Sequence, residues 1–98
     1  MDDGRHIVYM LCCRDRTLYT GYTNDMEKRL LMHNSGKGAK YTRGRGPCRV
    51  VYMEKHETKQ AALKREYEVK RYSRKRKIGL ISKQLKEVCQ HANPKELS

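Results

Sequence analysis

A chain of 98 residues with 23 Lys and Arg against 11 Asp and Glu carries a net charge of +12 with neutral His. That length is one domain's worth with a small core, and the charge makes a polyanion, above all nucleic acid, the expected partner. The longest apolar run, Ile7 to Cys13, is far short of a membrane span, and the acidic start at Asp2 and Asp3 is unlike a signal peptide, so a cytoplasmic protein is expected.

His6 to Cys13 and Thr17 to Thr23 are two β-rich runs parted by the polar Arg14, Asp15 and Arg16, the pattern of a hairpin. Alternation puts Ile7, Tyr9 and Leu11 on one face and Val8, Met10 and Cys12 on the other. Both faces are apolar, so the direction of Tyr9 stays open. In the second strand Tyr19 shares a face with Gly21, and a glycine inside a strand often marks a close approach. All 7 aromatic residues are Tyr, with no Phe or Trp. Taken singly, each reads as a core ring with a satisfied hydroxyl.

Asn24 followed by Glu27 has the form of a capping box, and Met26, Leu30 and His33 recur at helical spacing, which predicts a short helix over 25–33. Arg29 and His33 lie on its inward side beside Met26, with Lys28 opposite. Residues 34–47 hold glycines and cations without a period and read as a loop. Gly38 and Gly44 are too far apart for a phosphate-binding P-loop, and Arg45 stands where Lys is required. Lys37, Lys40, Arg43 and Arg45, with Tyr41 as a stacking ring, instead suit a sugar-phosphate backbone.

Cys48 to Glu54 reads as a third strand, and Thr58 caps a second helix over 59–72. Ile78, Ile81, Leu85 and Val88 form a further stripe interrupted by Gly79, for which one or two short helices are expected, followed by a frayed tail. The order is ββαβα plus a helical segment, a small sheet covered by helices of α+β class. Cys12, Cys13, Cys48 and Cys89 show no C-x-x-C pair, and the four His complete no zinc spacing, so reduced and mostly buried thiols are expected.

On the second helix Glu66 falls between Ala62 and Val69 on the most apolar stripe, with Leu63 flanking it. Such a carboxylate needs a cation or a metal, unless it merely pairs with Lys70 at the surface. Arg29 is open to two readings in the same way: a core partner of Glu66, or a phosphate clamp beside a metal ligand.

Together these residues resemble the GIY-YIG nuclease superfamily, in particular its small stand-alone bacterial members, which are related to the N-terminal nuclease domain of the bacterial excision-repair endonuclease. Ile7-Val8-Tyr9 stands where the first triplet would be and Tyr19-Thr20-Gly21 where the second would be, ahead of Arg29, His33 and Glu66. The stretches 33–47 and 62–77 look like the signature segments of the stand-alone group. The similarity spans about 5–81 of a single domain over 1–98, leaving 82–98 as an extension. It implies a three-stranded sheet, the hairpin plus one strand, flanked by helices. It also implies a metal-dependent endonuclease for DNA rather than RNA, of low sequence specificity or structure-preferring, with a role in DNA repair. One Mg²⁺ or Mn²⁺ would be held by Glu66, Arg29 would hold the scissile phosphate, and Tyr9 or Tyr19 would assist proton removal from water. His33 matches a position where the superfamily uses His or Tyr. Lys70, Arg74 and Arg76 join the loop cations as expected phosphate contacts; neither a membrane nor a small-molecule cofactor is expected. Two departures stand out: Ile7 and Val8 replace the Gly and Ile of the first triplet, and no Asn follows Glu66 before Asn93. They keep open the alternative of a catalytically weak or inactive nucleic-acid-binding module.

Overall fold

The computed structural model describes residues 5–35 and 47–91, the last four of them as backbone alone. β1 (His6–Cys12) runs down the middle of a three-stranded sheet of order β2-β1-β3, antiparallel to β2 (Leu18–Thr23) on one side and to β3 (Arg49–His56) on the other. A central strand buries both faces, which is why Val8, Tyr9, Met10 and Leu11 form an unbroken apolar run and are all 0% exposed. The strand pairing Met10 with Tyr52 and Leu11 with Val50 leaves Val51 as the extra residue of a β-bulge.

The connection between β1 and β2, residues 13–17, closes around a three-residue loop, Arg14 to Arg16, by bonds from Cys13 N–H to Thr17 O (2.9 Å) and from Arg16 N–H to Cys13 O (2.8 Å). Arg16 takes a left-handed φ of 70°, the usual requirement of such a loop. The Asp15 carboxylate accepts from both Thr17 N–H and Thr17 Oγ1, which holds the turn.

Helices cover both faces. α1 (Met26–Asn34) lays Met26 and Leu30 over Tyr9, Leu11, Cys13 and Cys48. On the other face α2 (Lys59–Lys70) brings Val69, and α3 (Arg74–His91) brings Leu80 and Ile81, against Met10 and Tyr52. Burying each such side chain contributes about 1.5–3 kcal/mol, so these few contacts fix the layers. Asn34 ties the end of α1 to the start of β3, donating from Nδ2 to Cys48 O (3.1 Å) and accepting Cys48 N–H at Oδ1 (2.6 Å). Cys12, Cys13 and Cys48 are free thiols; Cys48 Sγ donates to Cys13 Sγ at 3.0 Å, and burial pushes the Cys48 thiol up to about 12.

Three local expectations are corrected. The cap of α1 is Asp25 rather than Asn24: Asp25 is extended (φ −151°, ψ 94°) and its carboxylate accepts Lys28 N–H. Its own N–H is held by Thr23 Oγ1, which sets the helix start one residue later. β3 runs two residues beyond Glu54, to His56, where it still pairs with His6. α3 is one continuous helix of 18 residues rather than one or two short ones. A helical glycine costs only about 1 kcal/mol relative to Ala, and the packing of Leu80 and Ile81 beside Gly79 outweighs it.

Candidate active site

The face of the sheet under α1 brings the candidate site residues together. Tyr9 and Gly21 sit opposite one another across β1 and β2. A Cβ at position 21 would lie 2.5 Å from Tyr9 Oη and 2.9 Å from the ring of Tyr19, so the absent side chain is what lets both tyrosine rings converge. Helical spacing of four then brings Arg29 and His33 down on the same spot from α1. Arg29 Nε–H donates to Tyr9 Oη at 3.3 Å, and Tyr9 Oη lies 3.0 Å from His33 Nε2. Arg29 can only donate, so the hydroxyl hydrogen of Tyr9 is free to go to His33. The rings of Tyr9 and Tyr19 tilt against His33 with centroids 6.1 and 5.1 Å away.

Electrostatics follow from this packing. Burial pushes the Tyr9 hydroxyl up to about 12, opposed only partly by the bond from Arg29. Burial and the Arg29 charge hold the His33 imidazole below its ordinary value, so it is neutral near pH 7. Among the described residues Arg29 has no carboxylate partner, which removes the reading of a core ion pair with Glu66.

Glu66 projects from α2 with its side chain 17% exposed, and its charge is felt at Tyr9. Its Oε2 pairs with Lys70 at 3.0 Å, the helix pair that spacing alone had offered, while Oε1 makes no bond to another described group. Ala62 and Val69 beside it are buried, but Leu63 is 40% exposed and stands off the stripe. The structure therefore gathers Tyr9, Tyr19, Arg29 and His33 into one cluster and sets Glu66 near it without a direct bond.

The remaining expected contacts divide. Lys70 lines a groove with Leu18, Tyr19 and Thr20, and Arg74 lines the recess beside it. Arg76 instead lies over the ring of Tyr72, 3.8 Å from its centroid. Lys37, Lys40, Tyr41, Arg43 and Arg45 lie outside the described residues. A second polar network escaped the reading of the sequence. Glu54 accepts from Tyr52 Oη, pairs with His56 and takes Arg65 Nε, and Arg65 goes on to Glu68 and Tyr72. Burial raises the Glu54 carboxyl, but the bonds from Tyr52, Arg65 and His56 outweigh it and hold it below the usual range. Its members are strand neighbours and a helix partner 11 residues away, and neither spacing carries a signal in sequence.

A tyrosine-bearing hairpin, an Arg-and-His helix over it and a Glu helix behind it together make up a small endonuclease-like domain. The family description that matches is the GIY-YIG catalytic domain, over residues 5–79, and the chain belongs to that family. It is 54% identical to the UPF0213 protein SSP2268 of Staphylococcus saprophyticus over 78 residues, 80% of this chain and 95% of that one. It is also 54% identical to the UPF0213 protein OB0043 of Oceanobacillus iheyensis over 85 residues, 87% and 99% of the two chains. Among solved structures, that of the UPF0213 protein BH0048 of Bacillus halodurans matches with a TM-score of 0.52 at 53% identity, covering 79% of this chain and 82% of that one. The structure of EF2693 from E. faecalis matches with a TM-score of 0.54 at 40% identity, covering 90% of each. Among the described residues no helix is long and apolar enough to cross a membrane.

Proposed function

We propose that this chain is a metal-dependent endonuclease that hydrolyses phosphodiester bonds, in DNA rather than RNA, choosing substrates by structure more than by sequence. The observation that carries the reading is Arg29. Among the described residues its guanidinium is held by a phenol rather than a carboxylate, so its full charge remains for an incoming phosphate oxygen. The net charge of +12 supplies the long-range attraction.

The donor set suits a hard divalent ion. Among the described residues no three of His, Cys, Asp and Glu cluster as a metal cage. Mg²⁺ needs no such cage: it keeps several waters and takes one or two carboxylates plus substrate phosphate. Glu66, with one carboxylate oxygen unbonded among the described residues, is the residue that would hold it. When bound, such an ion neutralises charge on the phosphate and lowers the pKa of a bound water.

The chain's own groups divide the remaining work. Arg29 binds the scissile phosphate and stabilises the charge that builds on its oxygens. Tyr19 lines the groove and is the tyrosine that assists proton removal from the attacking water. Tyr9 is 0% exposed with its hydroxyl pushed up to about 12, which makes it a positioning residue that aims Arg29 and His33.

The test is incubation of the pure protein with branched, nicked and intact duplex DNA and with RNA, with Mg²⁺, Mn²⁺ or EDTA. Cleavage that requires the ion and favours one DNA structure is expected. The pairing of Lys70 with Glu66 favours a second reading, a nucleic-acid-binding module without catalysis. Tight binding with no cleavage under any metal would select it.

A further inference from the structure

Lys70, at the end of α2, and Lys77, in α3, line a groove of about 330 Å³ with Leu18, Tyr19 and Thr20. Lys77 also lines an adjoining recess of about 170 Å³ with Thr17, Leu18 and Arg74. Lys77 therefore joins the two spaces, and Tyr19 connects them to the catalytic cluster.

Three properties of this place are those of an anion site. Lys77 is half-buried and, among the described residues, has no carboxylate partner. Its ammonium is held below the usual lysine range by burial and by the neighbouring Lys70 charge. Keeping like charges together while desolvating one of them is unfavourable until an anion joins them. Thr20, on the same wall, is 3% exposed, and its Oγ1 is buried with no hydrogen-bond partner among the described groups. A neutral hydroxyl makes this wall polar without adding a negative charge that would compete with an anion. Glu66 pairs with Lys70, and among the described residues no carboxylate pairs with Lys77.

We propose that this groove seats a backbone phosphate adjacent to the one that is cut, with Lys77 at its centre and Lys70 and Arg74 on either side. The strand then leaves the catalytic cluster along the edge formed by β2 and α3. The assignment rests on the nuclease reading and adds to it a direction for the bound strand. A nucleic-acid backbone fits better than a single small anion, because the cations follow one another through two adjoining spaces rather than closing around one.

The test compares wild type with Lys77→Met, Lys77→Arg and Lys75→Gln. Met keeps the aliphatic stem of the half-buried lysine and removes only the charge. Lys75 is exposed and lies about 200° around α3 from Lys77, on the opposite side. Binding of a fluorescein-labelled nicked duplex is followed by anisotropy in EDTA over a series of salt concentrations. Lys77→Met should bind several-fold more weakly, with the slope of log affinity against log salt smaller by about one. Lys77→Arg and Lys75→Gln should keep the wild-type slope. Should Lys77→Met fail to fold by circular dichroism, Lys77→Gln is read in the same way. An unchanged slope on removing the Lys77 charge, or an equal loss in Lys75→Gln, would overturn the subsite while leaving wild-type cleavage and the nuclease reading intact. Absence of salt-dependent binding by wild type itself would bring down both.

Discussion

Arg29 meets Tyr9 through a single bond, Nε–H to Oη at 3.3 Å, while no carboxylate among the described residues neutralises the same guanidinium. A partner of that kind orients the cation without consuming its charge. Arg29→Ala should therefore lower stability by only about 1 kcal/mol, one hydrogen bond's worth. Turnover should fall about 10²–10³-fold, as for the loss of one donor to a charged transition state. Thermal melting and single-turnover cleavage of this one variant separate the roles. A loss of several kcal/mol with normal cleavage would make Arg29 a structural residue.

His33 gives the site a pH dependence of known sign. Burial and Arg29 hold its folded-state pKa below the ordinary 6.5, so the unfolded chain binds the proton first as pH falls. Its contribution is intact above about pH 6.5 and is lost as pH drops toward the folded value, by about 1.4 kcal/mol for each unit of depression. The gap in melting temperature between wild type and His33→Gln should narrow or reverse on going from about pH 8 to pH 5. Carboxylates titrate alike in both proteins and cancel in the difference. A gap that stays constant with pH would mean that His33 is not held neutral.

How far the sequence could be read depended on what each residue needed from distant parts of the chain. β1 was legible from its apolar run, and the inward turn of Arg29 and His33 from their spacing of four. The direction of Tyr9 was not, because both faces of a central strand are apolar and only the packing of α1 decides between them. Lys77 and Thr20 were invisible for another reason. The helix breaks between Lys70 and Arg74, which resets the phase and hides that Lys70 and Lys77 face one groove. The bond from Arg65 to Glu54 joins a helix to a strand, and no local pattern encodes it. Gly79 interrupts the apolar stripe with a local preference of only about 1 kcal/mol, and the tertiary contacts of Leu80 and Ile81 that override it are not local to the sequence.

The two glycines among the described residues should respond in opposite directions. Gly21→Ala places a methyl group 2.5 Å from Tyr9 Oη, backed by the ring carbon at 2.7 Å. Tyr9 is fully buried and cannot swing away, so an overpacking cost of about 1–3 kcal/mol is expected. The bonds to Arg29 and His33 should be lost with it. Gly79 meets nothing within 4 Å of an added Cβ. Gly79→Ala should stabilise by about 0.5–1 kcal/mol through helix propensity and a less flexible unfolded chain. Urea unfolding of both variants measures the two signs, and a destabilised Gly79→Ala would show that α3 is not continuous there.

Glu66 decides between catalysis and binding. Its carboxylate is mostly covered, with one oxygen on the half-exposed Lys70 and the other unbonded among the described residues. Glu66→Gln keeps the volume and removes the charge. The lost helix pair is worth about 0.3–0.5 kcal/mol, and relief of a partly buried charge acts in the opposite direction. The melting temperature of the metal-free protein should consequently change little. Nucleic-acid binding in EDTA should hold or tighten, since a negative charge has left the neighbourhood of phosphate. If Glu66 holds the ion, heat from a Mn²⁺ titration should vanish in the variant and metal-dependent cleavage should vanish with it. The stable fold and retained binding then exclude a merely structural cause. Equal cleavage by both proteins would remove Glu66 from the mechanism. A Mn²⁺ titration equally silent for wild type and variant, together with no cleavage by either, would assign the carboxylate to Lys70 alone and leave this chain a binder of nucleic acid.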